Sequence, residues 1–193
     1  MISSLLIANR GEIAVRIIKT AKQMGIRTVA VFSDADSESL HVTEADECIH
    51  IGPSNVSDSY LNIESLINAA TLCKVDAIHP GYGFLSENYI FAQACIDADI
   101  LFVGPSPETI KVMGDKSAAK SLMQDSGVPI IPGYHGEKQT HDYLYKSAEK
   151  IGFPLLIKAS AGGGGKGMRI VNCLTEFSES LSGAQREADS SFG

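Results

Sequence analysis

The run Ala161-Gly162-Gly163-Gly164-Gly165-Lys166-Gly167 is the segment best suited to chemistry. Four consecutive glycines expose backbone N–H groups without side-chain obstruction and can wrap around phosphate oxygens. Lys158, Lys166 and Arg169 add positive charge beside it. A flexible linker is the competing explanation, but such linkers are padded with Ser and do not lie between two apolar strands. The spacing excludes a Walker A loop. Counting back from Gly165-Lys166, the first glycine position holds Ser160, and the residue after Lys166 is Gly167, which has no hydroxyl for Mg²⁺. Strand, glycine loop, strand describes instead a hairpin lid that folds over a nucleotide. Lys158, on the strand before the loop, would then point at the phosphates.

Three other segments could take part. Ala8-Asn9-Arg10-Gly11-Glu12 is a strand-to-helix turn with one glycine where a dinucleotide fingerprint needs three, so NAD binding is disfavoured despite Asp34 after the second strand. It still places residues at the carboxyl edge of a sheet, where open α/β sheets bind ligands. The stretch from His79 to Asn88 combines Pro80, Gly81 and Gly83 with a base, a hydroxyl and a carboxylate in His79, Tyr82 and Glu87. Two readings stand for it: a ligand loop, or a turn whose Tyr82 and Phe84 plug the core while Glu87 favours the next helix N-terminus. Met113-Gly114-Asp115-Lys116 puts a lysine at a helix start, against the helix dipole, which suits two lysines converging on phosphates. His41, His50, His135 and His141 have no ligand spacing and read as surface residues.

These segments need a scaffold, and alternating strands and helices supply one. Residues 5–8, 28–32, 76–79 and 100–103 read as strands, and 13–24, 60–73 and 88–98 as helices, the first with Ile13, Ile17, Ala21 and Met24 on one side. Successive βαβ units imply a parallel sheet with helices on its faces. Ser106-Pro107-Glu108 opens a helix with a cap, a proline and an acid in order, and a second helix runs from about 116 to 126. Pro129, Pro132, Gly133 and Gly136 mark a hinge. Beyond it come a helix over 140–151, strands over 154–158 and 168–171, and a last helix after Thr175 with Phe177, Leu181, Ala184 and Ala188 inward.

Composition narrows the function classes. Sixteen Lys+Arg against 23 Asp+Glu give a net charge of −7, which disfavours nucleic-acid binding through a broad basic face. No apolar stretch approaches the roughly 20 residues of a membrane helix, and the N-terminus resembles neither a signal nor a transit peptide. Cys48, Cys73, Cys95 and Cys173 never form CxxC and read as ordinary thiols of a reducing compartment, here the cytoplasm.

Taken together and in order, residues 7–14, 79–88, 113–116 and 157–169 resemble the biotin carboxylase family, the ATP-grasp component of biotin-dependent carboxylases. The resemblance implies a Rossmann-like parallel-sheet domain over 1–113, then the beginning of an ATP-grasp domain, its lid subdomain, over 114–193. It implies that Lys116 and Lys158 contact nucleotide phosphates, that Gly163, Gly164, Gly165 and Lys166 belong to the lid over ATP, and that Leu156 lines the nucleotide pocket. Tyr82, Gly83 and Glu87 would border the bicarbonate and biotin region. The implied cofactors are ATP, Mg²⁺ and biotin on a carrier domain. The implied partners are bicarbonate, the biotin carboxyl carrier domain, a carboxyltransferase subunit and a second copy of the chain, with no nucleic acid and no membrane.

Catalytic residues and metal ligands are expected beyond residue 193, so the chain is expected to be an N-terminal fragment, inactive alone. Pro132-Gly133-Tyr134-His135-Gly136, Ser160-Ala161-Gly162 and Ser190-Ser191-Phe192-Gly193 look most like the biotin-containing subunits of methylcrotonyl-CoA carboxylases. The acetyl-CoA and propionyl-CoA enzymes share much of this pattern, and pyruvate carboxylase is a further alternative. Another ATP-grasp ligase such as a carbamoyl-phosphate synthetase is disfavoured by the 79–88 stretch, and a non-catalytic ATP-binding module is the alternative outside enzymes.

Overall fold

A computed structural model of the protein describes residues 2–158 and 167–192. The chain folds as two units, Met1–Gly114 and Asp115–Gly193.

The first unit is built on five parallel strands: β1 (Ser4–Ile7), β2 (Arg27–Ser33), β3 (Glu47–Gly52), β4 (Ala77–His79) and β5 (Leu101–Phe102), in the spatial order β3-β2-β1-β4-β5. All four residues of β1 are buried, as expected of a central parallel strand covered on both faces. Alternation sorts the sheet's side chains. Leu6, Val29, Val31 and Ile78 meet Leu66, Ala70, Phe91 and Cys95 from α3 (Ile63–Leu72) and α4 (Tyr89–Asp97) on one face, with Ile110 of α5 (Pro107–Gly114). Leu5, Ile7, Ala30 and Ala77 meet Ala14, Ile18 and Ala21 of α1 (Gly11–Gln23) on the other.

Helix boundaries follow local chemistry. Asn62 and Asn88 cap α3 and α4, their side-chain oxygens accepting from Ser65 N and Phe91 N at 3.0 and 2.9 Å. Gly25, at φ +73°, ends α1. Three expectations need correction. The buried residues of α1 are Ala14, Val15, Ile18 and Ala21, with Ile13 and Ile17 half-buried and Met24 exposed, so of the expected face only Ala21 is fully buried. Tyr60 lies before α3, not in it. His41, in the short helix α2 (Leu40–Glu44), is fully buried with Nε2 at 3.2 Å from the Val31 carbonyl oxygen, and so is no surface residue. Strand β3 is an addition: its glutamate, cysteine and histidine hide an edge strand among polar residues.

The second unit contains α6 (Lys116–Asp125), α7 (His141–Ile151), the antiparallel pair β6 (Leu155–Lys158) and β7 (Met168–Val171), and α8 (Phe177–Phe192). Val171, Phe177, Leu181 and Ala148 form its core, with Leu155 and Ile157 packed against it. Ala184 is buried and Ala188 half-buried, as the helical spacing predicted.

Candidate functional site

Strand β1 lies between β2 and β4, so the chain leaves β1 on one side of the sheet and returns to its other side at β4. Such a switch point opens a crevice at the strands' carboxyl ends. Ile7 and His79 are register partners at these ends, and the Ala8 N–H donates to the His79 carbonyl at 2.9 Å. The turns following β1 and β4 therefore meet, although 70 positions separate them in the sequence.

Asn9 joins the two turns. It is buried, its amide nitrogen donates to the carbonyl oxygens of Pro80 and Tyr82 at 2.8 and 2.9 Å, and its side-chain oxygen accepts from Arg10 N at 2.9 Å. The Gly81 N–H donates to His79 Nδ1 at 3.0 Å. Burial lowers the His79 pKa, which favours the neutral ring this bond requires. The Tyr82 hydroxyl donates to Glu12 Oε1 at 2.8 Å, and this bond holds the phenol above its ordinary pKa.

Backbone geometry explains the glycines. Gly81, Gly83 and Phe84 have φ of +67°, +72° and +40°. A Cβ on Gly81 would lie 2.7 Å from Asn9 Nδ2, whereas one on Gly83 would meet nothing within 4 Å. Phe84 is stacked on Tyr60 at 5.2 Å between centroids, so it does pack on the core, while Tyr82 is 56% exposed. The core-plug reading therefore holds for Phe84 and fails for Tyr82. Glu87 is exposed, one residue before the Asn88 cap. Beside the loop, an apolar pocket of about 490 Å³ runs from Ile13, Ile17 and Met24 to His79, Gly81 and Tyr82.

In the second unit, Leu156 and Lys158 are exposed on the same side of β6, opposite the core-facing Leu155 and Ile157. Lys158 pairs with Met168, the register pair next to the segment that connects the two strands. The Arg169 charge is answered by Glu187, at 2.6 Å from Nη1, so Arg169 is not a free cation at the glycine loop. Gly163, Gly164, Gly165 and Lys166 lie outside the described residues. Lys116 opens α6, where Asp115 Oδ1 accepts from Ala118 N at 3.1 Å; the Lys116 side chain also lies outside the description. Residue pattern alone missed the structural roles of Asn9 and Glu12. The signal that could have found them was the parallel topology, which makes the ends of β1 and β4 neighbours.

Residues 1–110 match the family model for the biotin carboxylase N-terminal domain. The chain belongs to the biotin carboxylase family. Residues 115–193 match the model described as carbamoyl-phosphate synthase L chain, ATP binding domain. Among the chain's relatives, the methylcrotonoyl-CoA carboxylase subunit alpha of Arabidopsis thaliana is 55% identical over 192 residues, covering 100% of this chain and 26% of that protein. Biotin carboxylase 1 of Bacillus subtilis is 49% identical over 193 residues, covering 100% and 43%. Among solved structures, a biotin carboxylase–β-γ-ATP complex from Campylobacter jejuni matches with a TM-score of 0.89 at 47% identity, covering 100% of this chain and 43% of that one. The biotin carboxylase domain dimer of the Hydrogenobacter thermophilus 2-oxoglutarate carboxylase, with MgADP, ADP and bicarbonate, matches at 0.86 and 43%, covering 100% and 42%. The chain thus spans between a quarter and just under half the length of these relatives.

Proposed function

We propose that the chain forms the N-terminal part of the biotin carboxylase component of a biotin-dependent acyl-CoA carboxylase, with methylcrotonyl-CoA as the final acceptor. In this reading 1–113 is the Rossmann-like domain and 114–193 begins the ATP-grasp domain. Identity of 55% to a methylcrotonoyl-CoA carboxylase alpha subunit across the whole chain carries the reading. A bicarbonate oxygen attacks the γ-phosphorus of ATP, ADP leaves, and carboxyphosphate forms. Its carboxyl group then passes to a ureido nitrogen of carrier-bound biotin, with release of phosphate and the nitrogen's proton.

Lys116 and Lys158, with the amides of Gly163, Gly164 and Gly165 and with Lys166, would disperse the phosphate charge, and Leu156 would line the nucleotide pocket. Tyr82, Gly83 and Glu87 would border biotin and bicarbonate. Mg²⁺, which screens the phosphates, would be held by carboxylates beyond residue 193, as would the catalytic groups, leaving this chain inactive alone. A second copy, the carrier domain and a carboxyltransferase subunit are the proposed partners. The four free cysteines support a reducing compartment, the cytoplasm in this proposal.

The test is bicarbonate- and biotin-dependent ADP release by the protein extended to relatives' length, beside residues 1–193 alone. Turnover confined to the long protein, with the KM for ATP raised roughly tenfold or more by Lys158→Ala, is expected. A long protein that binds Mg-ATP but releases no ADP in response to bicarbonate and biotin would refute the assignment. Where turnover is found, carboxylation of methylcrotonyl-CoA in preference to acetyl-CoA or propionyl-CoA, with the carboxyltransferase added, tests the acceptor.

A further inference from the structure

We propose that Asn9 is a positioning residue for the reaction, a template for the backbone that presents Tyr82 and Gly83. The proposal rests on the biotin carboxylase reading of that loop.

Every hydrogen-bonding atom of the Asn9 side chain is engaged. Its nitrogen serves two carbonyls, Pro80 and Tyr82, and its oxygen serves the Arg10 N–H. Aspartate would offer no donors to the two carbonyls, and glutamine would carry the same amide one methylene too far. The loop needs such a template because three positive φ values fall within four residues. Its short-range support is a Gly81–His79 bond and a Ser86–Gly83 bond, at 3.0 and 2.9 Å.

The clamp also sets a direction. In a planar trans peptide the C=O of one residue and the N–H of the next point opposite ways. With the Tyr82 carbonyl drawn to Asn9 Nδ2, the Gly83 N–H is turned away from Asn9. Gly83 is exposed and a Cβ there would meet nothing within 4 Å, which suits a backbone donor offered to a ligand oxygen. Glu12 holds the Tyr82 hydroxyl at the same time. One buried carboxamide thus aims a backbone donor without itself touching the ligand.

The experiment uses the protein at relatives' length, with Asn9→Ala, Gly81→Ala and Thr28→Val. Gly81→Ala strains the same clamp from the other side, since its Cβ would meet Asn9 Nδ2 at 2.7 Å. Thr28→Val is the control for general loosening: it removes a 2.7 Å bond to Asp46 at the opposite end of the sheet. Asn9→Ala and Gly81→Ala are expected to raise the KM for biotin about tenfold, the loss of one well-placed hydrogen bond, with the KM for ATP within about twofold of wild type. Amide exchange across residues 79–88 should quicken in both and stay at the wild-type rate in Thr28→Val.

A folded Asn9→Ala protein with wild-type KM for biotin and wild-type exchange would overturn the proposal. So would equal increases in both KM values shared with Thr28→Val. A wild-type protein without biotin-dependent turnover would refute the functional reading itself, and the role in the reaction with it, whatever the exchange data showed.

Discussion

The Tyr60 hydroxyl donates to Asp36 Oδ2 at 2.8 Å, with both residues buried. The same carboxylate oxygen lies 3.1 Å from Arg10 Nε, and the Ser39 hydroxyl donates to the other oxygen at 3.1 Å. The Tyr60 ring carries Phe84 on its face. A single buried acid thereby ties the turn after β1, through Tyr60, to Phe84 of the loop after β4, two residues beyond the Tyr82 that Asn9 holds. Burying an acid is costly unless its lone pairs are satisfied, and here four groups serve them when the 3.3 Å contact from Ser33 Oγ is included.

Tyr60→Phe is therefore expected to cost about 1–2 kcal/mol at neutral pH, because Asp36 loses a buried donor. Burial pushes the Tyr60 hydroxyl up to about 12, so the fold favours its protonated form. The stabilisation is fully present below pH 10 and is lost as pH rises through 12. The displacement is worth roughly 2–3 kcal/mol. Urea unfolding of both proteins between pH 9 and 12 checks this. The gap between wild type and Tyr60→Phe should narrow with rising pH, and a constant gap would contradict the account.

Acid pH acts at the opposite edge of the sheet. Asp76 accepts from the Ser3 hydroxyl and N–H, each at 2.7 Å, and from the Ser4 N–H at 3.0 Å, and these bonds hold its carboxyl down to about 2. A lowered carboxyl pKa gives stability that is present above about pH 4 and lost as pH falls through 2. Asp76→Asn should unfold at a lower temperature than wild type at pH 7. That difference should shrink between pH 4 and pH 2, and a thermal scan in which it does not would rule the linkage out.

The cap of α4 adjoins the same loop as Tyr60 and Asn9. Asn88→Ala removes the oxygen that accepts from Phe91 N and should cost about 1 kcal/mol, whereas Asn88→Asp should retain most of the stability. Equal losses for both variants in chemical unfolding would show that the cap is not the source.

Much of the fold was legible because helix signals are local. Ser106-Pro107-Glu108, Gly25 and the Ala184 stripe each act within one or two turns, and the structure places them where their chemistry demands. Strand β3 was not legible, because an edge strand with Glu47, Cys48 and His50 outward lacks a continuous apolar run. The face of α1 is rotated from the expected one: Ala21 is buried as expected and Ile17 packs at the margin, but Ala14 and Ile18 are at the centre, because apolar residues on adjacent positions leave the centre of the stripe ambiguous in the sequence.

The site divides the same way. The position of Lys158 at the end of β6 follows from the short apolar strand, and the positive φ of Gly83 from the turn residues around it. His41 was taken for a surface residue because nothing near it in the chain signals that it packs beneath β2. Asn9 and Glu12 were visible as a turn, but their partners lie 70 or more positions away, and only strand order brings them together.

His79 allows a last prediction about that meeting point. Its Nδ1 accepts the Gly81 N–H, so the neutral ring must carry its proton on Nε2. Nitrogen NMR should find that tautomer at pH 7, with the ring still neutral where a free imidazole, with a pKa of about 6.5, is half protonated. Because burial lowers the folded pKa, the stabilisation is present above pH 6.5 and is lost as pH falls through the folded value. Protonation would set two N–H groups against each other at Gly81 and remove one of the bonds that hold the loop. In the long protein the KM for biotin should then rise below the His79 pKa while the KM for ATP stays level. An Nδ1–H tautomer at pH 7 would overturn this chain of effects at its first step.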